Sequence, residues 1–307
     1  MSQLDGVLVL NKPSGLTSAA CIARIKRAFG QKKIGHAGTL DPMAQGVLLV
    51  LLGQGTKISG HLMDAGLKVY SGSIRLGVQT DTWDMEGAIQ EERPCGHVTA
   101  EAVQEAMKGL VGTYTQEVPA YSAAKHEGRP LYALARKGMA TPVKSKVVTV
   151  FRGEAELVGL PIVRFRVECS SGTYVRSLAH SLGMRLGCGA ALAELIREYS
   201  HPFGLDRAVS LETLQSAPEG FAAHVAAIAD ALPDWPLVCA SSEEEGAVRN
   251  GNPVAFARPG VALVDAAPFV EGQPALLQRE DGRPLALVQS ARKNGQEVWA
   301  IVRGLWN

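Results

Sequence analysis

None of the five cysteines (Cys21, Cys95, Cys169, Cys188, Cys239) forms a CxxC pair, and they are odd in number and widely scattered. That excludes a zinc ribbon and a disulfide framework and points to reduced thiols. The chain also lacks a GxSxG elbow, an HExxH helix and a P-loop. Gly53-Gln-Gly55-Thr-Lys57 falls short of phosphate-loop spacing and reads as a turn before a helix. The seven histidines are dispersed with none four residues from another, so no metal is expected. The longest aliphatic run, Val47 to Leu52, is too short to cross a bilayer. The start, MSQLDGVLVLNKPSG, has no basic leader, so neither a membrane span nor a signal peptide is expected and a cytoplasmic location is.

Net charge is only +1 over 307 residues, which leaves nucleic acid undecided. Its distribution says more. Gly6 to Leu40 holds no acid and six bases: Lys12, Arg24, Lys26, Arg27, Lys32 and Lys33. Tyr121 to Arg152 holds seven bases, among them Lys125 and Arg129, against the single acid Glu127. Two basic blocks in a near-neutral chain suggest a one-sided field that meets a polyanion; two solvated helix faces would give the same count.

With 46% apolar residues the chain can bury a core. Val7–Leu10 reads as a strand that breaks at Pro13-Ser-Gly15. Thr17 or Ser18 then caps a helix to Phe29, with Ile22, Ile25 and Phe29 on one face. Val47–Leu52 and Leu67–Leu76 read as strands, and Thr56–Ala65, Thr99–Val111 and Pro130–Lys137 as helices. Ile162–Cys169 alternates, with Val163, Phe165, Val167 and Cys169 facing inward as packed groups. Helices are expected at Tyr174–Leu186 and at about Ala190–Arg197. TDTWDMEG, Thr80–Gly87, carries three acids without calcium-loop spacing and reads as a turn. Beyond a junction near Ala231–Pro236, short strand-like pieces alternate with Asn-Gly, Pro-Gly and Asp-Gly turns, a small β-rich unit.

One acid stands apart. GHAGTLDPMAQG, Gly35–Gly46, is a loop whose only carboxylate is Asp41, with Gly35 and Gly38 placed for a ligand to approach the backbone. A reacting carboxylate must be ionised, and an arginine beside it lowers its pKa. Arg176, in the strand-to-helix turn SSGTYVRS, is the candidate.

At these residues the chain resembles the bacterial tRNA pseudouridine-55 synthases, the TruB family. GHAGTLDPMAQGVLLVLLGQGT looks like the family's catalytic-aspartate motif. LNKPSGLTS, KVYSGSIRLGVQTDTWDMEG, VPAYSAAKHEGRPLYALARKG, CSSGTYVRSLAHSLG and GAALAELIREYSHPF follow the family's order from Gly6 to about Leu214. Gln45 stands where the family often has threonine. The C-terminal portion resembles the family's PUA domain more weakly, best at Arg249–Val254.

The resemblance implies an α/β (α+β) fold: a mixed, mostly antiparallel sheet flanked by helices over residues 1–236, then a PUA-like β-barrel over 237–307. It implies that one uridine of the tRNA T-loop is isomerised: the C1′–N1 bond breaks, the base turns, and C5 joins C1′. Asp41 would be the catalytic carboxylate, attacking C1′ or removing a ribose proton, and Arg176 would hold it. Tyr70 would stack on the uracil near the proton lost from C5. Tyr174 and Leu195 would line the base pocket, and His36 would occupy the space left in the T-loop or stack there. Lys12, Arg24, Lys26, Arg27, Lys32, Lys33, Lys125 and Arg129 would meet RNA. No cofactor, metal, membrane or guide RNA is implied, and a monomer is expected. A single acid suits an isomerase, since ordinary glycoside hydrolysis uses two carboxylates. A non-catalytic tRNA-folding chaperone on the same scaffold, and a glycosylase that releases uracil, remain the alternatives.

Overall fold

A computed structural model describes residues 3–64, 66–122, 124–126, 128–135, 139, 142–256 and 269–306. Strand β1 (Gly6–Lys12) leads into helix α1 (Ser18–Phe29). Thr17 caps that helix by accepting from the Ala20 amide, and Cys21, Ile25 and Phe29 are its buried stripe. Next come β2 (Ile34–Ala37), β3 (Gln45–Leu52), α2 (Ser59–Asp64) and β4 (Leu67–Leu76). The strand at Ile34–Ala37 replaces the first part of the expected loop, because it pairs antiparallel with β3, His36 opposite Val50.

The hairpin β5 (Val78–Thr80) and β6 (Ile89–Glu92) flanks the TDTWDMEG turn. Then follow α3 (Ala100–Lys108), β7 (Gly112–Glu117), a two-residue hairpin β8 (Lys125–His126) and β9 (Arg129–Pro130), and the short α4 (Leu131–Ala135). The predicted end of that last helix, Lys137, lies outside the described residues. The long pair β10 (Ser145–Gly159) and β11 (Ile162–Ser170), α5 (Val175–Arg185) and β12 (Ala190–Ser200) complete the main body. Short strands β13 (Phe203–Gly204), β14 (Val209–Ser210) and β15 (Val225–Ala226) fasten the chain that follows.

The main sheet runs β14-β1-β3-β12-β4-β11-β10-β7. It is mixed and mostly antiparallel, with parallel pairing, among the described residues, only of β1 with β14 and of β12 with β3. The helix expected at Ala190–Arg197 is therefore a central strand. Its composition favours a helix, but it lies between β3 and β4, where tertiary pairing overrides propensity. Register shifts at Leu192/Glu194 and Arg197/Tyr199 also break its two-residue period. Leu192 and Leu195, and Arg197 and Ser200, are consequently buried three apart, a spacing that mimics a helix face.

From Leu237 a second, curled sheet forms with order β16-β18-β19-β20-β17, from Leu237–Ala240, Pro274–Arg279, Pro284–Lys293, Gln296–Gly304 and Val254–Ala255. It does not hang free. Leu276, Leu287 and Leu305 pack with Val7, Val47 and Leu49 of the main sheet. The Lys57 ammonium donates to the Gly304 and Trp306 carbonyls at 2.7 and 3.0 Å. Among the described residues no helix is long and apolar enough to cross a membrane, and no His/Cys/Asp/Glu cluster could hold a metal ion.

Candidate active site

The Asp41 loop is short, and its shape is imposed from two sides. From the α1 side, Ser14 Oγ donates to Met43 O, the Gly15 amide donates to Pro42 O, and Ser18 Oγ accepts from the Leu40 amide. Beneath these, Lys12 is fully buried, and its ammonium donates to the carbonyls of Pro13, Pro42 and Ala44 at 3.0, 3.0 and 2.6 Å. This corrects the assignment of Lys12 to RNA: a buried ammonium whose donors are spent on carbonyls meets no phosphate, and burial pushes its pKa down.

From the β12 side comes Arg197, 2% exposed, donating to Val47 O and Gly38 O at 2.7 and 2.8 Å. Gly46, at φ 99°, is where a side chain would strike the Arg197 carbonyl, and Gly38, at φ 76°, lies over the guanidinium. So the close approach at Gly38 is made by Arg197. Gly35 has only Thr56 at 4.0 Å from a would-be Cβ, and nothing there requires glycine.

Arg176 occupies the first turn of α5 and is 4% exposed. Its Nε and Nη2 meet Asp41 Oδ2 and Oδ1 at 2.9 and 3.1 Å, a two-pronged ion pair. Nη1 donates to Thr82 O at 3.0 Å and Nη2 to Tyr121 O at 2.9 Å. Asp41 keeps 34% of its side-chain exposure, so the carboxylate faces outward while its partner is sealed beneath it.

A second acid is present, which corrects the reading of a solitary carboxylate. Asp84 Oδ2 lies 3.5 Å from Arg176 Nη1, and its side chain is 7% exposed. The TDTWDMEG turn delivers it. Asp84 Oδ1 accepts from Thr82 Oγ1 and the Glu86 amide, and Thr80 Oγ1 donates to Asp84 O. β12 pins the turn through Leu192 N to Trp83 O and Met85 N to Leu192 O, and Trp83, at φ 63°, stacks on His180. The three acids without calcium spacing were the available signal; nothing local showed that one of them turns inward.

The electrostatics also depart from expectation. Arg176 does pull the Asp41 pKa down, but desolvation outweighs it and Asp84 adds repulsion, so Asp41 titrates above an ordinary aspartate. Burial pushes the Tyr70 phenol up, and the Arg197 guanidinium opposes that shift. His36, half-buried with Nε2 3.3 Å from Thr39 Oγ1, is lowered by burial and then by Arg197.

Tyr70, 8% exposed on β4, stands opposite Arg197 of β12 and packs in one core with Leu40, Ala44 and Leu195. Tyr174 begins α5, its backbone held at both ends by the amide of buried Gln116, and its ring feels both Arg176 and Asp41. Arg176 is thus paired with Asp41, Tyr70 and Tyr174 both feel the Asp41 charge, Leu195 shares the core of Tyr70, and His36 lies beside Arg197. Arg24, Lys26, Arg27, Lys32, Lys33 and Arg129 are exposed, and the Lys125 side chain lies outside what is described. Asp84, Arg197 and Gln116 had not been anticipated.

The N-terminal-domain model of the TruB family pseudouridylate synthases matches residues 26–175. A tRNA pseudouridine synthase B of Oleidesulfovibrio alaskensis is 57% identical over 100% of this chain and 98% of its own length. One of Nitratidesulfovibrio vulgaris is 54% identical, with the same two coverages, 100% and 98%. Among solved structures, a "Cbf5-Nop10-Gar1 Complex" superposes with TM-score 0.73 at 26% identity, covering 98% of this chain and 85% of that one.

Proposed function

The chain belongs to the TruB family of pseudouridylate synthases, and from that premise we propose that Asp41 and its neighbours convert one uridine of tRNA, uridine-55 of the T-loop, into pseudouridine. The activity is that of a tRNA pseudouridine synthase, an isomerase, the name carried by relatives 54% and 57% identical to this chain along its length. The observation that carries the site is the pair of Asp41 with Arg176 at 2.9 and 3.1 Å: a carboxylate that faces outward, oriented by a guanidinium that does not.

The geometry suits that reaction. The target uridine leaves its stack at a cost of a few kcal/mol. Stacking on an aromatic face returns roughly 1–3 kcal/mol, and Tyr70 is the ring beside Asp41 that offers one. Asp41 then acts at the ribose, by attack at C1′ or by removal of a ribose proton; both routes need the ionised carboxylate. The glycosidic bond breaks, the uracil turns between Tyr70 and Leu195, and C5 bonds to C1′. The C5 proton then leaves and the ring's double bond is restored. Leu40, Leu195 and Tyr70 give the site an apolar inner side, and bound RNA would cover the outward face of Asp41, which together favour recapture of the base over its hydrolytic loss. Asp84 is no second catalyst of hydrolysis: it is buried and committed to Arg176, Thr82 and Glu86. The exposed cations of α1 would track the phosphates. The proposal extends to a monomer acting in the cytoplasm without a guide RNA.

The test is incubation with an unmodified tRNA transcript, with neither metal nor nucleotide added, and mapping of pseudouridine by carbodiimide-blocked primer extension. One stop in the T-loop is expected. A stop elsewhere overturns the position, free uracil replaces the isomerase with a glycosylase, and binding without product leaves the chaperone.

A further inference from the structure

Helix α5 starts without a cap from its own sequence. Tyr174, its N-cap residue, is extended at φ −96° and ψ 111°, and its side chain makes no capping hydrogen bond. A helix start of this kind leaves backbone amides to be satisfied from elsewhere. The partner comes from 58 residues earlier in the chain. Tyr174 N donates to Gln116 Oε1 at 2.8 Å, and Gln116 Nε2 donates to Tyr174 O at 3.2 Å. One primary amide thus closes on both backbone groups of one residue. Gln116 is 4% exposed, and its backbone on β7 pairs with Lys146 of β10, so the amide is anchored to the main sheet. Beside it, Ser177 Oγ donates to Glu117 O at 2.8 Å, a second tie between β7 and the first turn of α5. Arg176 has anchors of its own in Thr82 O, Tyr121 O and Asp41. What Gln116 fixes is therefore the peptide of Tyr174, whose ring lies within reach of the Asp41 and Arg176 charges.

We propose that Gln116 is a positioning residue for the isomerisation: by gripping both backbone groups of Tyr174 it fixes the ring that lines the base pocket while the uracil turns. The inference rests on the isomerase reading. Gln116 acts through Tyr174 and not on the substrate. Once the glycosidic bond is broken, the walls of the pocket decide which atom of the uracil faces C1′ next. A wall displaced by about 1 Å by a change away from the reacting atoms costs on the order of 100-fold in rate. Glutamate at this position separates positioning from packing, because it keeps the shape and adds one titratable difference. Protonated, it accepts from Tyr174 N and donates to Tyr174 O, as the amide does. Ionised, it keeps the first bond and turns a second oxygen toward the carbonyl, so the other bond becomes a repulsion. Burial favours the protonated form of such a carboxyl, so acidification restores the grip.

The test compares the unsubstituted protein, Gln116→Glu, Gln116→Met, Tyr174→Ala and the double variant Gln116→Glu with Tyr174→Ala. Each converts tRNA in single turnover, with protein in saturating excess, across a pH series. Under that excess an unfolded fraction of the protein leaves the rate constant unchanged, so a slower rate is not a lost fold. At the alkaline end Gln116→Glu converts on the order of 100-fold more slowly, with tRNA affinity within a few-fold. Its rate relative to the unsubstituted protein rises on acidification; the titration of Asp41 is common to both and cancels in the ratio. Gln116→Met, which makes neither bond, is slowed by the same factor at every pH. Tyr174→Ala has no ring to place, so adding Gln116→Glu slows it no further. A Gln116→Glu ratio that does not change with pH, a loss confined to tRNA affinity, or losses that multiply in the double variant overturns the proposal and leaves Gln116 a support of the fold. If neither Gln116 variant folds, the proposal is overturned in the same way. Failure of the unsubstituted protein to convert any uridine overturns the isomerase reading itself; conversion with any of the adverse results above overturns only the role of Gln116.

Discussion

Lys12 and Arg24 belong to one acid-free stretch, yet they end in opposite surroundings. Lys12 is sealed beneath the Asp41 loop, its ammonium bound to three carbonyls, whereas Arg24, Lys26, Arg27, Lys32 and Lys33 stand in solvent around α1. Arg176 and Arg197 join Lys12 in the inner set. Inner cations direct donors to backbone oxygens and to Asp41 and Asp84, and so fix where atoms sit. Outer cations keep their donors for a polyanion and so govern encounter and salt dependence. The sign of a charge says nothing about which role it takes; burial and the partners it finds do.

That contrast breaks most visibly at Arg176. Removing one partner of a buried ion pair costs about 3–5 kcal/mol, and here two carboxylates would be left facing each other. Arg176→Met is expected to lower single-turnover conversion by roughly 10³-fold or more, with tRNA affinity nearly kept. A loss that appears wholly in tRNA affinity would place Arg176 among the outer cations.

Lys12→Met tests the same division through stability. Three carbonyls lose a charged donor, at about 1.5–3 kcal/mol for a hydrogen bond to a charged group. The urea midpoint should fall, while the slope of log affinity against log salt stays unchanged. A slope reduced by about one would return Lys12 to the groups that meet phosphate.

The pH dependence sharpens the picture at Asp41. Desolvation and Asp84 raise its pKa above the ordinary 3.8, so conversion, which needs the carboxylate, should fail on acidification at a pH above that value. Asp84→Asn removes the like charge, favours ionised Asp41 and should move the midpoint to lower pH, in a rate-versus-pH series. A midpoint that moves upward would mean that Asp84 acts on Asp41 chiefly through the placing of Arg176.

The smallest effects belong to the outer set. Alanine at Arg24, Lys26, Lys32 or Lys33 should each weaken tRNA binding a few-fold and reduce the salt slope by about one for each phosphate left unneutralised. Stability and the conversion step should not change.

Much of this was legible in the chain. β1, α1, β3, β4, α3, β11 and α5 lie near their expected bounds, because their apolar periods and caps are local properties. Asp41, Tyr70, Tyr174, Leu195, His36 and Arg176 were legible through ordered motifs; Arg176 pairs with Asp41, Tyr174 lies within reach of both charges, Tyr70 and Leu195 share one core, and His36 neighbours Arg197 instead. What was not legible depends on distant neighbours. β12 reads as a helix because two register shifts and two neighbouring strands decide its state. Asp84 turns inward because β12 and His180 hold its turn, and neither is near it in sequence. Lys12 looks like its basic neighbours until its carbonyl partners, Pro42 and Ala44, are in place.

The central claim is tested most directly by tritium release from tRNA labelled at C5 of uridine, measured for the unsubstituted protein and for Asp41→Asn at matched tRNA occupancy. The carboxylate account predicts release approaching one label per tRNA from the former and none above background from the latter, with tRNA affinities within a few-fold. Comparable release from Asp41→Asn would contradict it.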